Sequence, residues 1–251
     1  MTPPELRVIG VGGLPDVTEG AELAALILNA AAAQATALAD GDIVVVTQKI
    51  VSKAEGRALA LAEVEPGTDA VKLAAETEKD PRLVELILRE SRRIVRQAGP
   101  VLITETRHGF VCANAGIDAS NVAEGYVCLL PEDPDASASA VRIALRERGG
   151  IEVAVVISDT FGRPWREGHT NVAVGVSGME PFVDYVGQLD PYGNELRVST
   201  LAVADELAAA AELVMGKLDG VPVAIVRGYD YPKGCGTAQD MVRPPERDLF
   251  R

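Results

Sequence analysis

Short β-branched runs closed by glycine alternate with longer stretches in which apolar side chains return every three or four positions. Leu6 to Val11 (LRVIGV) predicts a strand ending in Gly12-Gly13, and a helical pattern follows from about Glu19 to Leu38 with Thr18 as its N-cap. Asp40-Gly41-Asp42 breaks that pattern before Ile43 to Thr47, an unbroken β-branched run that predicts a buried strand. Asp80-Pro81 starts a helix in which Leu83, Val84, Ile87 and Leu88 share a face, ending near Ser91. From Arg92 to Leu130 the pattern turns to short strands, Val101 to Thr106, Gly109 to Ala113 and Tyr126 to Leu130, separated by Gly and Asn turns. A helix from about Ala136 to Arg148, closed by Gly149-Gly150, leads into a strand from Glu152 to Ser158. Asp190-Pro191-Tyr192-Gly193-Asn194 predicts a hairpin-like turn, Ser199 to Gly216 a helix, and Val221 to Arg227 a last strand before a polar tail.

No internal repeat and no Pro/Ser-rich linker divides residues 1–251, so one domain is expected, with two interleaved lobes as the alternative organisation. Helices and strand clusters are partly segregated rather than strictly alternating. The expected class is therefore α+β with mixed and antiparallel sheets, a doubly wound α/β sheet being the alternative. With 47% hydrophobic residues the chain can bury a sizeable core. It has no run of eighteen apolar residues and no signal-peptide pattern, which points to a soluble, cytoplasmic protein with no membrane partner. Cys112, Cys128 and Cys235 are too widely spaced for a C-x-x-C motif and read as core thiols.

Charge narrows the chemistry. The chain carries 37 acidic against 24 basic residues, a formal net charge of -13, so a phosphate-neutralising surface for nucleic acid is excluded as an expectation. If its substrates are anionic, divalent cations or a local basic patch must hold them.

Neither a P-loop nor G-x-G-x-x-G occurs. The loop at Gly12-Gly13-Leu14-Pro15 reads as a turn or a phosphate contact. Gln48-Lys49-Ile50-Val51-Ser52-Lys53, at the end of a buried strand, reads as a solvated strand end or as lysine point charges for a triphosphate. Gly116-Ile117-Asp118-Ala119-Ser120-Asn121 offers hard oxygen ligands for Mg²⁺ or Mn²⁺, or simply an Asx-stabilised turn. Asp159-Thr160 at a strand terminus, followed by Arg163 and Arg166, combines a metal ligand, a hydroxyl and two guanidiniums, the parts phosphoryl transfer uses. Trp165 within that string reads alternatively as a core plug. His108 and His169 stand apart without neighbouring ligands, which disfavours a zinc site. Arg92, Arg93 and Arg96 read as a solvated basic face or an anion contact.

Taken together these segments resemble the coenzyme F420-0:gamma-glutamyl ligase family. The resemblance runs through Gly13-Leu14-Pro15-Asp16, Asp40 to Lys53, Ala115 to Val122, Leu130 to Asp135, Ser158 to Arg166 and Asp190 to Leu196, in family order. It implies a GTP-dependent amide ligase in which the terminal carboxylate of the F420-0 lactyl group is phosphorylated and L-glutamate displaces the phosphate. It also implies nucleotide contacts at Leu14, Pro15, Asp16, Val17, Gln48, Lys53 and Asn121, and Mg²⁺ or Mn²⁺ ligands at Asp118, Asp159 and Thr160, with K⁺ as a further candidate cofactor. Met215-Gly216-Lys217 resembles another nucleotide-proximal loop, and Lys217 stands where archaeal relatives offer an amide ligand. The resemblance implies a homodimer. At Asp248-Leu249-Phe250-Arg251 it leaves two expectations, a stand-alone ligase or a ligase domain that precedes a flavin-dependent reductase; no flavin is expected on this segment.

Overall fold

The computed structural model of the chain describes residues 4–248. Leu249, Phe250 and Arg251, at the expected domain end, lie outside the described residues. Strand β1 (Arg7–Val11) is followed by helix α1 (Leu23–Ala33), and strand β2 (Ile43–Thr47) runs directly into helix α2 (Gln48–Ala54). After an excursion over residues 58–130 come α5 (Pro134–Gly149), β8 (Ala154–Arg163), β9 (Arg166–Ser177), α6 (Val203–Met215) and β12 (Val223–Arg227). A two-stranded ribbon, β10 (Val183–Asp184) with β11 (Thr200–Leu201), precedes α6. The class is α+β with mixed and antiparallel sheets.

Five strands form the central sheet in the order β1-β12-β2-β8-β9; β2 and β8 are parallel and the other pairs antiparallel. Alternate residues of β2 explain its uninterrupted apolar run, because both faces are covered. Val44 and Val46 pack with Ile27 of α1 and Leu145 of α5, whereas Ile43 and Val45 pack with Leu207 and Ala211 of α6. Beneath this sheet Asp42 is buried and paired with Arg227, whose Nε and Nη2 donate to its two carboxylate oxygens at 2.8 and 2.6 Å. Ala39 N–H donates to the same carboxylate at 2.8 Å.

The excursion carries its own core of Val64, Leu86, Ile87, Leu102, Ile117, Val127 and Leu129. It holds β3 (Ala58–Ala60) paired with β7 (Tyr126–Cys128), helices α3 (Thr68–Thr77) and α4 (Pro81–Arg89), and an antiparallel sheet of β4 (Ser91–Ala98), β5 (Val101–Thr106) and β6 (Val111–Ala113). Asp80 caps α4 through the Arg82 N–H at 2.8 Å, with Pro81 in the first turn. The chain leaves the central unit and returns to it side by side: Leu129 N–H donates to the Arg57 carbonyl at 3.0 Å, and Arg57 Nε donates to the Leu130 carbonyl at 3.0 Å.

Several expectations are corrected. Helix α1 is shorter than expected, and Thr18 does not cap it; the cap position is Glu22, without a side-chain bond. The helix stops because Gln34 turns away to Gly10 and Gly12, its Nε2 donating to the Gly10 carbonyl at 2.8 Å, and Ala35 follows at φ 58°. The string from Gln48 is a helix, not a strand end. The strand expected to stop at Ser158 continues to Arg163, and its hairpin partner β9 and helix α3 were absent from the sequence reading. Trp165 is no core plug: it sits at φ 57° in the Pro164-Trp165 turn, 79% exposed.

Candidate active site

Strand β2 ends at Thr47, opposite Ser158 of its parallel neighbour β8, which runs on to Arg163, and a cleft of about 1290 Å³ opens where that pairing stops. The crevice outside the carboxyl ends of parallel strands is where backbone groups leave the sheet and side chains can reach a ligand. The cleft gathers Leu14 to Val17, the first turns of α2, the Asp118–Asn121 loop, the Asp159–Arg163 stretch of β8 and Gly216-Lys217 after α6. These segments are far apart in sequence, and the fold brings them together.

Because the Gln48 string is helical, Lys49 and Lys53 lie one turn apart on one face. Lys49 Nζ donates to Asp118 Oδ2 at 2.7 Å, to Ser120 Oγ at 2.7 Å and to the Ser120 carbonyl at 2.9 Å. Lys53 Nζ donates to Asp16 Oδ1 at 3.1 Å. Gln48 is buried, its Oε1 accepting from Ser52 Oγ at 2.9 Å while its Nε2 has no protein partner.

Two carboxylates of unlike character share this space. Burial pushes the Asp118 carboxyl up, but hydrogen bonds from Lys49 and Ser120 outweigh it and hold the group below the ordinary carboxylate range. Burial likewise pushes Asp159 up, to about 6; the Thr160 N–H and the charges of Lys49 and Lys217 offset this only in part, and Asp118 adds to it. A half-buried carboxylate with one backbone donor and no ion pair among the described residues suits a cation. Among the described residues no three His, Cys, Asp or Glu side chains form a cage. The donor set fits a hard ion that takes one or two carboxylates and fills its remaining positions with substrate oxygens and water, as Mg²⁺ does. Thr160 Oγ1 accepts from Lys217 Nζ and donates to Asn171 Oδ1 at 2.7 Å, so a cation at this hydroxyl takes the place of Lys217. Asn171 Nδ2 in turn donates to Glu212 at 3.0 Å.

Other expected residues are placed differently. Asp159 lies within a strand, paired with Val172, rather than at a strand terminus. Arg163 folds back on its own hairpin, Nη2 donating to the Glu167 carbonyl at 2.7 Å, and Arg166 is exposed outside the cleft lining. The Met215 side chain is buried with the α6 core, leaving Gly216 and Lys217 to face the cleft. His169 lines the cleft, while His108 bonds the Pro131 and Glu132 carbonyls and stacks on Phe110. Sequence reasoning did not assign roles to Ser120, Asn171 and Glu212. The i, i+4 spacing of Lys49 and Lys53 was a legible signal once the segment is read as a helix.

The family model for F420-0:gamma-glutamyl ligase matches residues 13–228. Among curated proteins, the chain is 50% identical over 249 residues to the coenzyme F420:L-glutamate ligase of Methanothermobacter thermautotrophicus, covering 98% of this chain and 99% of that protein. It is 47% identical to the enzyme of that name from Methanopyrus kandleri, covering 99% and 98%, and 45% identical to that of Methanocaldococcus jannaschii, covering 84% and 85%. A match through the whole cleft-forming region, at this identity and over nearly the full length of two relatives, leaves one assignment: the chain belongs to the F420-0:gamma-glutamyl ligase family.

Proposed function

We propose that this protein joins L-glutamate to coenzyme F420-0 through an amide bond, consuming GTP and releasing GDP and phosphate, and that it adds further γ-linked glutamates. The observation that carries the reading is the near full-length family match, with the matched segments converging on one cleft lined by three lysines and by four carboxylates, Asp118 and Asp159 among them. A volume of about 1290 Å³ exceeds the ~300–1,000 Å³ of a typical single-ligand pocket, which supports a site for more than one reactant.

A carboxylate must be activated before an amine can displace oxygen from it. An F420-0 carboxylate oxygen forms a bond to the γ-phosphorus as the bond to the GDP oxygen breaks. The glutamate amine then attacks the acyl carbon, phosphate departs and the amine proton is lost. Lys49, Lys53 and Lys217 supply fixed positive charge for the phosphates. Leu14 to Val17, Gln48 and Asn121 border the nucleotide in this reading. Asp118 and Asp159 would hold Mg²⁺ or Mn²⁺, which when bound neutralises phosphate charge and polarises the transferring group.

The deciding assay is GDP release measured with glutamate and F420-0 supplied together and singly. Release that requires both supports the ligase; release without them points to a GTP-hydrolysing switch, and binding of F420-0 with no nucleotide use points to an oxidoreductase. Transfer of ¹⁸O from the substrate carboxylate into phosphate tests the acyl phosphate, and its absence rejects that order of steps. We further propose a homodimer; light scattering at micromolar concentration should give twice the chain mass of 26.4 kDa, and a value near 26 kDa rejects it. No described helix is long and apolar enough to cross a membrane.

A further inference from the structure

The cleft has a second wall that the phosphate chemistry does not use. It is one face of the β4–β5–β6 sheet. Residues two apart on a strand share a face, and the register sets Ile103 opposite both Arg96 and Ala113. Arg96, Val101, Ile103, Val111 and Ala113 therefore stand together, and all five line the cleft. The opposite face, with Leu102, Thr104 and Cys112, is buried. On the cleft side Val101 remains 46% and Val111 40% exposed, an open aliphatic platform with no lysine on it; Glu105, on the same face opposite Val111, is buried and paired with Arg92 and Arg93.

The three arginines of β4 are not equivalent. Arg92 and Arg93 are both engaged by Glu105, at 3.7 and 2.8 Å, whereas Arg96 has no ion pair among the described residues and borders the cleft. The platform thus presents a flat aliphatic surface with one uncompensated guanidinium at its edge. That combination recognises a planar ring system carrying an anionic group.

Strand β6 also sets the direction of the ligand. From Ala113 it runs straight into the turn Asn114-Ala115-Gly116, whose three residues all have φ between 52° and 73°, and then to Asp118. At this junction Asn114 Oδ1 is buried and has no hydrogen-bond donor. A molecule lying on Val111 and Ala113 therefore extends its tail past this unpartnered acceptor toward Asp118 and Asp159.

We propose that this sheet face is the acceptor subsite: the aliphatic platform takes the planar deazaflavin ring of F420-0, Arg96 takes an anionic group of its tail, and Asn114 accepts from a tail hydroxyl. The inference rests on the ligase reading above. Its test uses the whole protein, comparing KM for F420-0, GTP and glutamate in Arg96→Ala, Val111→Asp and the same-strand control Arg92→Ala. Loss of one charge-assisted contact should raise the F420-0 KM about tenfold in Arg96→Ala, with Arg96→Lys intermediate. Val111→Asp should raise it by about tenfold or more, since it sets a carboxylate under the ring. The GTP KM and the melting temperature should hold in both, and Arg92→Ala should resemble wild type. Equilibrium dialysis of F420-0 without GTP should show the same order of affinities. An unchanged F420-0 KM, or a rise in the GTP KM instead, overturns the subsite while leaving the ligase reading intact. Wild-type protein that releases no GDP in response to F420-0 defeats the ligase reading itself.

Discussion

Lys49 holds Asp118 at 2.7 Å, while Asp159, which lines the same cleft, has no ion pair among the described residues. One acid is compensated by the protein, and in the proposed mechanism the other is left to a cation. If both serve one metal, Asp159→Asn should lower turnover by roughly a hundredfold or more, as does loss of one element of charge stabilisation at a transferring group. Asp118→Asn should act in the same sense, and the double variant should lose less than the product of the two, because members of one site act as a unit. Near-normal kcat with an unshifted Mg²⁺ requirement in Asp159→Asn rejects the assignment.

The same substitution should stabilise the metal-free fold. The folded Asp159 carboxyl keeps its proton up to about pH 6 because of burial, whereas unfolded it titrates at 3.8. Between those values the native state binds more protons, so this group's contribution to stability falls as pH rises and stays low above pH 6. In chelator, Asp159→Asn should melt several degrees above wild type at pH 7.5, and the gap should close toward pH 4. Equal melting at pH 7.5 argues against the burial described.

Asp42 and Arg227 form the best-enclosed ion pair of the central unit, and breaking it exposes the asymmetry of buried charge. Arg227→Ala leaves a buried carboxylate with only the Ala39 N–H as donor, and should cost about 3–5 kcal/mol. Asp42→Asn combined with Arg227→Met should cost less than Arg227→Ala alone. Urea unfolding of the three proteins checks the order.

Much of the central sheet was legible. The run Ile43 to Thr47 coincides with β2 because a strand covered on both faces needs no polar alternation, and Asp80-Pro81 starts α4 because both residues serve a helix terminus. The β8–β9 hairpin was not legible. Asp159 and Gly162 are poor strand residues, and their extended state is imposed by pairing with β9 rather than by local preference. Helix α2 was missed because seven residues with two adjacent apolar side chains, Ile50 and Val51, show no period. The cleft residues were marked by family motifs, but the Lys49–Asp118 bond joins positions 69 residues apart, a distance no local pattern spans.

Two glycines on the paired strands β8 and β9 should respond oppositely to alanine. A Cβ at Gly175 would meet the Pro134 carbonyl oxygen at 2.2 Å, at the first residue of α5, where neither strand nor helix can yield. Gly175→Ala should cost about 1–3 kcal/mol as an overpacking change. A Cβ at Gly162 meets nothing within 4 Å, and Gly162→Ala should stay within about 0.5 kcal/mol of wild type. Equal losses in denaturant titrations contradict the packing described.

The crossing at Arg57 and Leu130 has a mechanical meaning. An inserted segment attached by two distant tethers is braced like a bridge, but here both tethers are laced together, so the chain enters and leaves the 58–130 unit at one crossing. A second join is Lys49, which reaches Asp118 and Ser120 of the inserted unit, and a third is Phe110, which packs edge-on against Phe161 of β8. Turning the inserted unit about the Arg57–Leu130 crossing would have to part both of these joins.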